Sequence, residues 1–122
     1  MADRSKILVV DDNALLRNSL SQQLGAAGYE VNQAACGSEA LSMIKGGSYR
    51  LILLDLRMPY VDGFEVLTIV KDTLPNTRVI VVTAYNDLTT VQKCRKLGAD
   101  EIIGKPFNIE YLFHTIELML KK

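Results

Sequence analysis

Along the chain, short apolar runs alternate with longer amphipathic segments. The runs are KILVV (6–10), YEVNQA (29–34), LILLD (51–55), RVIVVT (78–83) and DEIIG (100–104). Val and Ile are prominent in them, and three lack the polar alternation of a half-solvated strand, as strands covered on both faces do. Between the runs, apolar residues step by three or four. Leu16, Leu20 and Leu24 are stopped by Gly28; Leu41 and Ile44 precede Gly46-Gly47; Phe64, Leu67 and Val70 form a third set. Leu88, Val91 and Cys94 are closed by Gly98, and Ile109, Leu112, Phe113, Ile116 and Leu120 make the clearest stripe. Such spacing predicts helices. Five strand–helix units in succession predict an α/β fold. The expected architecture is a doubly wound five-stranded parallel sheet, order 2-1-3-4-5, flanked by five helices.

Composition narrows the class. The 122 residues, 48% of them hydrophobic, suit one domain spanning 1–122 with its own core. Lys plus Arg and Asp plus Glu balance at 14 each, so no global basic field argues for direct nucleic-acid binding. Cys36 and Cys94 form neither a disulfide framework nor a C-x-x-C pair, and read as buried or half-buried thiols in a reducing compartment. The polar start MADRSK does not resemble a signal peptide. No apolar run approaches the roughly 20 residues that span a bilayer. The expectation is a cytoplasmic domain with no membrane contact.

The candidate chemistry lies at the strand ends. The first strand ends in Asp11-Asp12, the third in Asp55, the fourth in Thr83 and the fifth near Lys105-Pro106. In a parallel sheet these ends share one edge, where doubly wound folds bind ligands. Three clustered carboxylates repel one another, and a hard divalent cation relieves the repulsion. An all-oxygen donor set favours Mg²⁺ over zinc. A cation, the Lys105 ammonium and the Thr83 hydroxyl around one carboxylate would cradle three phosphoryl oxygens, with Asp55 as the nucleophile that forms an aspartyl phosphate. Taken singly, each residue is ordinary: Asp12 or Asn13 would serve equally as a cap for the first helix. It is the convergence of matching residue types on one edge that points to phosphoryl chemistry.

These residues resemble the receiver domain of two-component response regulators. The resemblance is carried by VVDDN (9–13), LLDLRMPYVDG (53–63), VVTAY (81–85) and LGADEIIGKPF (97–107), and covers essentially the whole chain. It implies a flavodoxin-like fold. It also implies Asp55 as phosphoacceptor, Asp12 as direct metal ligand and Asp11 as a ligand largely through water. The backbone carbonyl of Arg57 would complete the protein's share of the Mg²⁺ shell. Thr83 resembles the switch hydroxyl and Lys105 the phosphate-binding lysine, with a cis Lys105–Pro106 bond. Met58 to Gly63 would turn the third strand into the third helix, with Gly63 supplying a permissive backbone. The implied function is a phosphorylation-dependent switch. It takes its phosphoryl group from a sensor histidine kinase or histidine phosphotransfer protein and relays the change to an output domain or effector. It catalyses only its own phosphorylation and dephosphorylation.

Several features qualify this reading. Ile102 stands where the family usually has an aromatic residue or His, so the switch is expected to run without a swinging ring. A dimer through the fourth helix, fifth strand and fifth helix has only Lys93, Arg95, Lys96, Asp100 and Glu101 to draw on, and a monomer or weak phosphorylation-promoted dimer is expected. Otherwise Lys93, Arg95 and Lys96 read as a solvated helix face, and His114 as a surface residue. Arg57 and Tyr85 border the approach of water to the acceptor. A phosphatase or phosphotransferase that forms an aspartyl phosphate is one rival function. It is disfavoured because the haloacid-dehalogenase type needs an Asp where Arg57 stands. A degenerate receiver acting as a binding module is the other, and the intact residue set argues against it.

Overall fold

The computed structural model describes residues 5–57, 63–84 and 87–121. β1 (Lys6–Val10) leads to α1 (Ala14–Ala26), β2 (Glu30–Ala34), α2 (Gly37–Gly46) and β3 (Leu51–Leu54). α3 (Gly63–Thr73), β4 (Arg78–Thr83), α4 (Leu88–Lys96), β5 (Glu101–Gly104) and α5 (Ile109–Leu120) follow. Every paired neighbour is parallel, in the order β2-β1-β3-β4-β5. This is the architecture that the apolar runs predict.

In the middle of the sheet, residues 7–10, 51–54 and 79–82 are all apolar because both faces of these strands meet helices. Leu8, Val10, Ile52, Leu54, Val79 and Val81 pack with Ala40 and Ile44 of α2, Val66, Leu67 and Val70 of α3, and Cys94 of α4. The alternate residues Ile7, Val9, Leu51, Leu53, Ile80 and Val82 pack with Leu20 and Leu24 of α1 and Leu112, Ile116 and Leu120 of α5. The period of two is therefore present, and hidden, since both sets are buried.

Local signals set the helix ends. Asn13 caps α1, its side chain accepting from Leu16 N at 3.1 Å. That choice leaves Asp12 outside the cap. Asp87 and Asn108 cap α4 and α5 in the same way. Gly28 and Gly98, which follow α1 and α4, have φ of 104° and 103°, the left-handed region that favours glycine. One stripe residue departs from expectation. Leu88 is 71% exposed, while Cys94 further along α4 is fully buried. Leu88 is the first residue of α4, next to its cap, and the helix reaches the apolar layer only later.

Asp100 holds the opposite edge of the sheet from the strand ends. Its carboxylate accepts from Lys71 Nζ at 2.8 Å, Val79 N at 2.8 Å and Arg78 at 3.2 Å. Glu101 likewise accepts from Arg95 at 3.4 Å and from Ile102 N at 3.0 Å. The two acidic residues considered for a dimer interface are thus engaged within the chain. Burial alone would raise the Asp100 pKa, but the hydrogen bonds from Lys71 and Val79 and the Lys71 charge outweigh it, and the net shift is downward. A lowered folded-state pKa contributes stability that is fully present above the carboxylate's ordinary range and is lost as pH falls from that range through the lower folded-state value. Asp100→Asn is expected to cost about 2 kcal/mol at neutral pH, the order of a lost charged hydrogen-bond network. The deficit should shrink in urea melts as the pH falls below the ordinary carboxylate range toward the lower folded-state value of Asp100, where the wild-type carboxylate is neutralised too. A pH-independent difference between the two proteins would refute this account.

Candidate functional site

The parallel register carries the predicted residues to one edge. Val10 pairs with Leu54, Leu54 with Val81, and Thr83 with Gly104. Asp11, Asp55 and Lys105 each stand one residue past a strand. Their backbones are still tied in: Asp11 N donates to Ala34 O at 3.2 Å, Asp55 N to Val10 O at 3.0 Å and Lys105 N to Thr83 O at 2.8 Å. The peptide bond from Lys105 to Pro106 is cis, as the resemblance implies.

The side chains converge. Lys105 Nζ lies 2.7 Å from Asp11 Oδ2 and 3.2 Å from Asp55 Oδ2. Asp11 Oδ1 accepts from Asn13 N at 2.8 Å, and Asp55 Oδ1 from Arg57 N at 3.1 Å. Asp11 and Asp55 are buried, whereas Asp12 is exposed. A cleft of about 380 Å³ opens over them, with Asp12, Arg57 and Ala84 in its walls. Thr83 is fully buried at the end of β4, so its hydroxyl lies beneath the cleft surface. Among the described residues, one ligand oxygen from each of Asp11, Asp12 and Asp55 can be chosen so that all lie within 4.8 Å of one another. With the three carboxylates ionised, Lys105 leaves the cluster net negative, a charge that a divalent cation would offset. The donors are all oxygen, and exposed Asp12 leaves room for water, so the residues fit Mg²⁺.

Burial pushes the Asp55 pKa up, with the Asp11 charge adding to it, against the opposing pull of the Arg57 N–H and the Lys105 charge. Burial pulls Lys105 down, but the hydrogen bond to Asp11 and the charges of Asp55 and Asp11 more than reverse it, leaving the ammonium above its ordinary value. Lys105 and Asp55 thus face each other at the floor of the cleft, 3.2 Å apart.

The family model of the response regulator receiver domain matches residues 7–117. The chain belongs to that family. It is 37% identical to Sporulation initiation phosphotransferase F of Bacillus subtilis over 115 residues, 94% of this chain and 93% of that protein. The receiver domain also matches a CheY-like receiver domain protein from Methanospirillum hungatei, with a TM-score of 0.94, 34% identity, and 98% and 95% of the two chains covered. The TrrA response regulator from Thermotoga maritima, solved in complex with Mg²⁺ and BeF, gives a TM-score of 0.85 at 33% identity, over 94% and 98% of the chains. Some curated relatives are longer, and the chain spans 49% and 51% of the length of two of them. Receiver domains are phosphorylation-dependent signalling modules of two-component systems rather than turnover enzymes. They interact with kinases and output domains.

Sequence reasoning places Asp11, Asp12, Asp55, Thr83 and Lys105 at the site, and the fold brings all of them to this edge. Tyr85 and the Met58–Asp62 part of the turn lie outside the described residues. At Gly63 a Cβ would sit 2.4 Å from Leu56 Cα, so close approach to the Leu56 backbone requires glycine there. The contacts missed in the sequence are those behind the carboxylates, from Asn13 and Arg17. Neither differs in sequence from an ordinary cap or a polar helix residue.

Proposed function

We propose that Asp55 is the phosphoryl acceptor of this receiver domain, which occupies residues 1–122. The donor would be a phosphohistidine on a sensor histidine kinase or histidine phosphotransfer protein. The observation that carries this is Lys105 Nζ held between Asp11 Oδ2 and Asp55 Oδ2, with Asp55 one residue past the fully buried strand β3. An Asp55 carboxylate oxygen attacks phosphorus. The new O–P bond forms as the donor's P–N bond breaks, and that electron pair returns to the imidazole nitrogen. Mg²⁺, held by Asp11, Asp12, Asp55 and the backbone carbonyl of Arg57, would neutralise charge on the phosphoryl oxygens. Lys105 is already beside the acceptor and can turn from Asp55 to a phosphoryl oxygen. The buried Thr83 hydroxyl would supply the hydrogen bond that links phosphorylation to the loop before α4.

The domain would catalyse only its own phosphorylation and loss of the phosphoryl group, and pass the change to an output domain or effector protein. The complex of TrrA with Mg²⁺ and BeF supports the metal and the phosphoryl cradle, since beryllofluoride has the shape and charge of a phosphoryl group. We place the domain in the cytoplasm, as a monomer or weak phosphorylation-promoted dimer without direct nucleic-acid contact. No described helix is long and apolar enough to cross a membrane.

The test is intact mass after incubation with acetyl phosphate. One phosphoryl group should be gained with Mg²⁺ and none with excess EDTA. Asp12→Ala should behave with Mg²⁺ as the wild type does with EDTA. Full gain in the presence of EDTA would sink the metal-assisted reading.

A further inference from the structure

Asp11 has all its polar groups engaged. Its N–H, Oδ1 and Oδ2 meet Ala34 O, Asn13 N and Lys105 Nζ. The fourth, its main-chain carbonyl, accepts from Arg17 NH1 at 2.9 Å. Arg17 lies on α1, one turn after the cap, and its Nε donates to Gln33 Oε1 at 3.0 Å. Gln33 pairs with Val9 across the sheet, so both ends of the guanidinium contact are fixed to the ends of β1 and β2. The gripped carbonyl belongs to the peptide unit that joins Asp11 to Asp12. Asp12 follows this peptide unit directly and is itself exposed.

We propose that Arg17 is a positioning residue for the metal site, which fixes the Asp11–Asp12 peptide unit from behind and so aims the Asp12 carboxylate into the cleft. The inference rests on the reading of Asp11 and Asp12 as Mg²⁺ ligands. Arginine suits the role, because its planar fork can donate to the carbonyl and to Gln33 at once, which an ammonium cannot do with the same geometry. It touches neither metal nor phosphoryl group. Partners one step removed from a metal ligand typically change metal affinity by about 10–100-fold when lost.

Charge and positioning predict opposite signs. If Arg17 acted only as a positive charge near the carboxylates, its removal would tighten Mg²⁺ binding. If it positions Asp12, removal weakens binding. Mg²⁺ affinity is measured by calorimetric titration on the full chain for wild type, Asp12→Asn, Arg17→Gln, Arg17→Lys and Gln33→Leu, with thermal melts of each. Arg17→Gln should weaken Mg²⁺ binding about tenfold, at the lower end of that range. Arg17→Lys should recover part of the loss, and Gln33→Leu, which keeps Arg17 but frees one end, should show a smaller loss. Unchanged or tighter binding in Arg17→Gln overturns the proposal while wild type and Asp12→Asn still report on the metal site. Should Arg17→Gln not fold, unchanged binding in Gln33→Leu overturns it equally. Failure of wild type to bind Mg²⁺ overturns the metal reading and this inference with it.

Discussion

Asp55→Asn should gain no phosphoryl mass from acetyl phosphate and Mg²⁺, under conditions in which the wild type is modified. The amide has the size of the carboxylate but no charged oxygen to attack phosphorus, and it removes one of the three negative charges that draw a cation to the cleft. Nothing else among the described residues has the same setting. Asp11 is buried too, but its carboxylate is committed to Lys105 at 2.7 Å and to Asn13 N at 2.8 Å. Asp12 is exposed and projects from the segment before α1. Only Asp55 combines burial, an upward pKa caused first by that burial, and a looser 3.2 Å contact to Lys105. A more basic oxygen with a weakly held partner is the better nucleophile. Because the substitution is isosteric and relieves repulsion, the variant should melt no lower than the wild type, so loss of modification would not reflect unfolding. Wild-type levels of adduct on Asp55→Asn would remove Asp55 from the reaction and with it the proposed function.

Much of the fold is legible in the sequence, because strands buried on both faces must be apolar at every position. LILL and VIVV cannot be half-solvated strands, and the Gly residues after α1 and α4 punctuate the helices. The site is legible for a related reason: a carboxylate directly after a buried strand is costly unless something compensates it. Residues that act across elements leave no such trace. Arg17 looks like any polar helix position, and only the packed structure shows it reaching the Asp11 carbonyl and Gln33. Leu88 fits the helical spacing and is nevertheless exposed, since spacing marks a face but not where along the helix that face meets the sheet. The preference of Lys105 for Asp11 over Asp55, 2.7 against 3.2 Å, is likewise a matter of tertiary distance.

Gly63→Ala should be among the most destabilising single-methyl additions in the molecule. Gly63 opens α3 and is buried, and its N–H donates to Leu56 O at 3.3 Å. A Cβ built there meets Leu56 Cα at 2.4 Å, Leu56 O at 2.7 Å and Leu56 C at 2.9 Å, all backbone atoms. No rotamer relieves such a clash. Either α3 withdraws, opening the layer where Val66, Leu67 and Val70 pack, or the Leu56 backbone moves. Overpacking of this kind costs about 3 kcal/mol. At about 4 °C per kcal/mol for a domain of this size, the melting temperature should fall by roughly 12 °C. The second escape route also reaches the site. Leu56 links Asp55 to Arg57, whose N–H donates to Asp55 Oδ1 at 3.1 Å, so a shifted Leu56 backbone displaces the acceptor carboxylate. Gly63→Ala should therefore be phosphorylated more slowly than wild type even well below its melting temperature. At Gly25, where a Cβ meets nothing within 4 Å inside α1, the same change should be neutral or slightly stabilising. Equal melting temperatures for Gly63→Ala and Gly25→Ala would show that the approach of α3 to Leu56 is not the tight contact described.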